Sequence, residues 1–116
     1  MTINVEEKAI HTLAEIFHPQ ISNKLLKTNK IKVQCEIKNN FSIIKLISIN
    51  KSIEKEIEIY DLLEQDVLFD DRELIKVPLQ FKNLREVKGK WDKCVFTVDK
   101  DKKTTIEYIF PEKKMH

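Results

Sequence analysis

The chain has 116 residues, 41% of them hydrophobic and 34% charged, with a formal net charge of +2. That length suits one domain able to bury a core without staples, and so small a charge does not by itself call for a nucleic-acid partner. A single glycine argues against the glycine-rich loops that cradle phosphates, and no run approaches the roughly 20 apolar residues of a membrane span.

The opening residues, MTINVEEKAI, carry acids where a secretory leader carries bases, which predicts a cytoplasmic chain. Asn4 is placed to cap a helix, with Glu7 reaching back as in a capping box. Val5, Ala9, Leu13, Ile16 and Phe17 then form one stripe at helical spacing, predicting an amphipathic helix over 5–17 that lies on a sheet. Pro19 should end it, because the residue before a proline is pushed out of the helical region. His11 and His18 read as solvated or part-buried histidines rather than metal ligands. The connector at 20–30 is lysine-bearing and lacks the aromatic residues that stack on bases.

Residues 31–50 give the clearest signal. Ile31, Val33, Cys35 and Ile37 alternate with polar residues, so their side chains share one face of a strand. Asn39-Asn40 tolerates the positive φ of a two-residue hairpin loop, which sets Lys38 opposite Phe41, Cys35 opposite Ile44 and Val33 opposite Leu46. Phe41, Ile43 and Ile47 make the second strand apolar on its other face too, predicting cover over both sides. Cys35 and Cys94 both fall at core-facing positions and read as buried free thiols, with a disulfide between them as the alternative.

Ile53, Ile57 and Ile59 alternate with charge, whereas Ile53, Ile57 and Tyr60 also fit a helix. The isoleucine bias favours a third strand over 53–60, with Glu54, Glu56 and Glu58 on its exposed face, as suits a sheet edge. From Glu54 to Glu73 nine acids meet only Lys55 and Arg72, a local net of −7 in a chain of +2. Such a stretch can steer a basic partner, or it can be a solvated edge and loop. Asp70 or Asp71 can cap a second helix whose stripe is Leu74, Val77, Phe81, Leu84 and Val87, kinked or restarted at Pro78 and closed by Lys88-Gly89. A last hairpin runs from Trp91 to Phe110 around the charged turn DKDKK. Cys94, Phe96 and Val98 face the core, as do Ile106, Tyr108 and Phe110; Trp91, at the strand start with Val95, is expected to be partly exposed.

The fold expected is therefore α+β: one antiparallel sheet of about five strands carrying an N-terminal and a central helix, in the order α-β-β-β-α-β-β. That order, with Leu84-Arg85, Gly89, Trp91, Phe96, Tyr108 and Phe110, resembles the YezG-like immunity proteins that neutralise polymorphic toxins. The match covers about the last third of the chain. It departs from the family in its net basic charge and in having Lys102-Lys103 where Asp-Gly is often seen. The resemblance implies a cytoplasmic protein without catalysis, whose partner is a cognate protein toxin domain and which needs no cofactor, metal, membrane or small-molecule substrate. If the toxin is a nuclease its surface is basic, and the complementary contact residues would be Glu54, Glu56, Glu58, Asp61, Glu64, Asp66, Asp70 and Asp71, with Trp91 as an aromatic anchor. Two other classes compete. A nucleic-acid-binding regulator would use the lysines of 24–45 and 88–103 but shows no helix-turn-helix pattern there. An enzyme would have to rely on His11 and His18 or on a cysteine whose inward position raises its pKa.

Overall fold

The computed structural model describes residues 4–21, 29–39, 41–57 and 71–111, with backbone only at residues 20 and 71–74. Helix α1 (Val5–Ile21) is followed by strands β1 (Lys30–Lys38), β2 (Phe41–Asn50) and β3 (Ile53–Ile57). Helix α2 (Asp71–Lys88) and strands β4 (Lys93–Asp99) and β5 (Thr104–Ile109) complete the chain. The strands form one antiparallel sheet in the order β3-β2-β1-β4-β5, so the fold is α+β with the expected element order.

The first hairpin has the register its alternation predicts, with Lys38 opposite Phe41, Cys35 opposite Ile44 and Val33 opposite Leu46. Asn39 supplies a positive φ of 47° at its turn. β1 is the middle strand, and its Ile31, Val33 and Cys35 are buried beside Leu46 of β2 and Cys94, Phe96 and Val98 of β4. Both cysteines are free and buried. Ser48 is the buried polar side chain of this face, and its hydroxyl donates to the Lys55 carbonyl of β3 at 3.3 Å.

The helices close that one face. Asn4 caps α1 by accepting from the Glu6 N–H at 2.9 Å. Ala9, Leu13, Ala14, Ile16 and Phe17 are buried between α2 and the sheet, while Val5, at the start of the stripe, is exposed. The helix does not stop at His18-Pro19. It runs to Ile21, because a proline in the last turn removes only one hydrogen bond, and Ile21 gains a half-buried place against the core. His18 Nε2 donates to the Lys100 carbonyl at 3.0 Å, and exposed His11 lies 3.3 Å from Glu15.

In α2, Pro78 is likewise internal, and Val77, Phe81 and Leu84 are buried, whereas Val87 is exposed because its position has rotated past the contact with α1. Gly89 closes the helix with φ +102° and donates to the Arg85 carbonyl at 3.1 Å. α2 packs chiefly on α1 rather than directly on the strands.

The third strand is confirmed over Ile53–Ile57; the remainder of the 53–60 expectation lies outside the described residues. Its turn is unusual in chemistry. Lys51 and Ser52 both take positive φ, 50° and 70°, the conformation a two-residue hairpin turn needs and that asparagine and glycine adopt at less cost. Replacing Lys51-Ser52 by Asn-Gly should therefore stabilise the protein by about 1–2 kcal/mol. Urea denaturation would show this as a higher midpoint with an unchanged slope.

Candidate functional site

The sheet has a second face, and the alternation decides what occupies it. Because Ile31, Val33 and Cys35 point to the helices, Lys30, Lys32, Gln34, Glu36 and Lys38 point away from them, and the register extends that assignment to every strand. Phe41, Ile43, Lys45, Ile47 and Ile49 of β2 join this outward face, with Glu54 and Glu56 of β3 beside them. Lys93, Val95, Thr97 and Asp99 of β4, and Thr105, Glu107 and Ile109 of β5, complete it. Cover over both sides of β2 was the expectation; instead Phe41 is 72% and Ile43 40% exposed. Ile47 and Ile49 are part-buried among charged neighbours, so the outward face is an apolar stripe, exposed toward its Phe41 end, in a charged frame.

The frame is electrically balanced. Lys30, Lys32, Lys38, Lys45 and Lys93 stand on the same face as Glu36, Glu54, Glu56, Asp99 and Glu107. Lys32 Nζ lies 2.6 Å from Glu54 Oε1, pairing a cation of β1 with the edge strand across β2. Glu56 is exposed and, among the described residues, has no ion-pair partner. Asp99 is committed to the last turn, where the N–H of Lys103, with that of Asp101, holds its carboxyl below the usual range.

Of the acidic residues picked out as contact residues, Glu54 and Glu56 are therefore together on the β3 edge, outward and exposed. Asp71 opens α2, and Glu58, Asp61, Glu64, Asp66 and Asp70 lie outside the described residues.

Trp91 is a correction. It is fully buried, not partly exposed at the start of a strand. β4 begins only at Lys93, and the Trp91 N–H bonds the Gly89 carbonyl at 2.9 Å in a tight turn, so strand alternation does not govern where the indole goes. Arg85 Nε donates to the Trp91 carbonyl at 3.1 Å, and the rings of Trp91 and Tyr108 stand 6.4 Å apart. The anchor role thus passes inward: Trp91 joins α2 to the C-terminal hairpin. Phe110 departs from expectation in the opposite sense, being half exposed just past β5.

Around this tryptophan a polar cluster ties α1, α2 and β5 together. Tyr108 donates from its hydroxyl to Glu6 Oε2 at 2.7 Å, and Lys88 Nζ lies 2.9 Å from the same oxygen and 5.8 Å from the Tyr108 ring centre. The hydrogen bond from Tyr108, and then that from Lys88, hold the Glu6 carboxyl below its ordinary value of 4.5. Burial, and then the bond to Glu6, push the Tyr108 phenol well above its ordinary 10.0, so it stays a donor. This cluster could not be picked out by spacing, since its members are drawn from α1, α2 and β5.

Burial also pushes the thiols up, Cys35 to about 11 against the pull of Arg85 and Cys94 to about 12 with help from the nearby Cys35 sulfur. Neutral, enclosed thiols are poor nucleophiles at neutral pH. Among the described residues no group of three or more His, Cys, Asp or Glu is arranged to hold a metal, and no helix is long and apolar enough to cross a membrane. No protein-family model matches the chain, and no curated protein is detectably similar to it.

The cluster predicts a pH dependence with two limbs. Glu6 has a depressed pKa when folded, so its contribution is present above about pH 4.5 and is lost as the pH falls through the folded value. Tyr108 has a raised pKa when folded, so its contribution is present below about pH 10 and is lost as the pH rises toward the folded value. Tyr108→Phe keeps the ring and removes the bond to a charged acceptor, at a cost of about 1–2 kcal/mol. Denaturation measured across pH should show the variant less stable at neutrality and flatter at both extremes.

Proposed function

We propose that this chain is a binding protein of the immunity class, which neutralises a protein toxin domain by covering its working surface. The reading is carried by one observation: an acidic sheet edge, Glu54 and Glu56 of β3, stands beside Ile49 and Ile47 of β2, whose outward apolar row runs on along the strand to the exposed Ile43 and Phe41. Apolar residues framed by charge are the make-up of a protein–protein contact, in which buried side chains supply affinity and the charged rim supplies orientation and on-rate. The resemblance of residues 84–110 to YezG-like immunity proteins supports the same class. A cytoplasmic location follows from that reading, since the toxin would act there.

The acidic edge suits a basic partner such as a nuclease. A regulator that binds nucleic acid directly is the second reading, favoured by the convergence of Lys30, Lys32, Lys38, Lys45 and Lys93 on the outward face. Their carboxylate neighbours, with Lys32 already bound to Glu54, argue against it, because phosphate would meet as many acids as bases there.

The test is protection. If a neighbouring gene encodes a large secreted protein with a variable C-terminal domain, that domain should be toxic inside cells and this chain should relieve the toxicity. The purified pair should associate quickly at low salt and more slowly as salt screens the charges. Glu54→Lys with Glu56→Lys should weaken the complex by several kcal/mol, and Phe41→Ala by about 1–2 kcal/mol. Thermal stability should fall by no more than about 1 kcal/mol, the worth of the half-exposed Glu54–Lys32 pair, because these side chains are exposed. Unaltered affinity in both variants would place the contact elsewhere. Salt-sensitive binding to random duplex DNA, without protection, would replace the proposal by the second reading.

A further inference from the structure

On the opposite side of the sheet from Glu54 and Glu56, the thin packing of α2 on the strands leaves a groove of about 760 Å³. Its floor is Cys35 and Ile37 of β1 with Ser42 of β2, its wall is α2 from Pro78 to Glu86, and Trp91 lies at its end. The volume falls within the range of small-molecule sites, and the lining has the composition of one: apolar over most of its area with a few charged groups at the margin.

Those charged groups are unequal in sign. Lys82, Arg85 and Lys90 border the groove, against Glu86 alone. Among the described residues neither Lys82 nor Lys90 has an ion-pair partner, and both are exposed. Arg85 is half-buried and held by its bond from Nε to the Trp91 carbonyl, which fixes the plane of the guanidinium. A guanidinium held in that way presents a planar fork suited to a carboxylate. Apolar surface is available alongside: Leu79 is 52% exposed at the rim, and Ile37 is half-buried on the floor. Trp91, which closes the groove, has a buried indole N–H with no acceptor among the described residues. Leaving a buried donor unpaired is costly in a core.

We propose that this groove binds a small amphipathic monocarboxylate, an aliphatic acid whose carboxylate sits among Lys82, Arg85 and Lys90 and whose chain lies along Leu79, Phe81 and Ile37. An inorganic anion would leave the apolar walls wet, and a neutral or cationic amphiphile would leave the basic margin unanswered or opposed. The charge imbalance and the apolar lining together select the class. The site is independent of the toxin-binding reading, since it lies on the other face of the sheet.

The experiment is a titration of the full chain with octanoate, octan-1-ol and octylammonium, followed by calorimetry and by the fluorescence of Trp91, the chain's one tryptophan. Octanoate should bind at one saturable site and at least about tenfold more tightly than the other two. Lys82→Glu with Lys90→Glu should weaken octanoate about tenfold and erase its advantage over octylammonium. Leu79→Asp should weaken it comparably by charging the apolar wall. All three positions are exposed, so far-ultraviolet circular dichroism should match the parent. Equal binding of the three probes, parental affinity in both variants, or no saturation by millimolar octanoate would each overturn the proposal. So would an octanoate-insensitive dimer dispersed by Leu79→Asp, since the groove would then be filled by a second copy. None of these results bears on protection by the Glu54 and Glu56 edge.

Discussion

β1 is hydrogen-bonded along both edges, to β2 over nine register pairs and to β4 over seven, and Ile31, Val33 and Cys35 of its inward row are buried. Every other element takes its position from that double pairing. The register to β2 sets which residues of the first hairpin meet the helices, and the register to β4 places Cys94, Phe96 and Val98 in line with them. A slip of one residue in either ladder would exchange the faces, exposing the inward row and burying lysines and glutamates. The strong contrast between the two faces of β1 makes that slip prohibitive.

The parts of the fold legible in the sequence are those governed by that contrast. The first hairpin could be read to the individual pair, because period-two alternation and a two-residue turn leave one register open. Two of the departures share a cause, since each lies where an element begins or ends. Pro19 sits inside α1 because end-of-helix penalties are small and Ile21 has somewhere to pack. Trp91 is buried because a turn precedes β4 and breaks the alternation that would have turned it outward. The outward row of β2 departs from its pattern for another reason. Apolar composition states that a surface is costly to hydrate, not whether this chain or a partner covers it.

The candidate contact surface was legible in the same partial way. Glu54 and Glu56 lie on the edge strand, outward and exposed, as their alternation with isoleucine requires. Their electrostatic setting was not, because Lys32 reaches Glu54 from two strands away and no local pattern announces such a neighbour. A count of charges along the chain overstates the field wherever the sheet brings opposite charges together. The Glu6, Tyr108 and Lys88 cluster makes the same point from the inside: three residues unremarkable in sequence become one polar joint.

The strand order also carries a consequence for synthesis. β1 finds β2 across a two-residue turn, but its other edge waits for β4, more than fifty residues later, and Glu6 waits for Tyr108, 102 residues on. While the nascent chain is still being made, β1 presents an unpaired edge and an open apolar row, the kind of surface on which chains mispair. Closing the sheet needs contacts of long sequence separation, which form slowly. The core thus forms only when the chain through β5 has left the ribosome. A truncation that removes the last hairpin would leave not a smaller version of the same fold but a sticky hairpin with a loose helix, a client for chaperones and proteases.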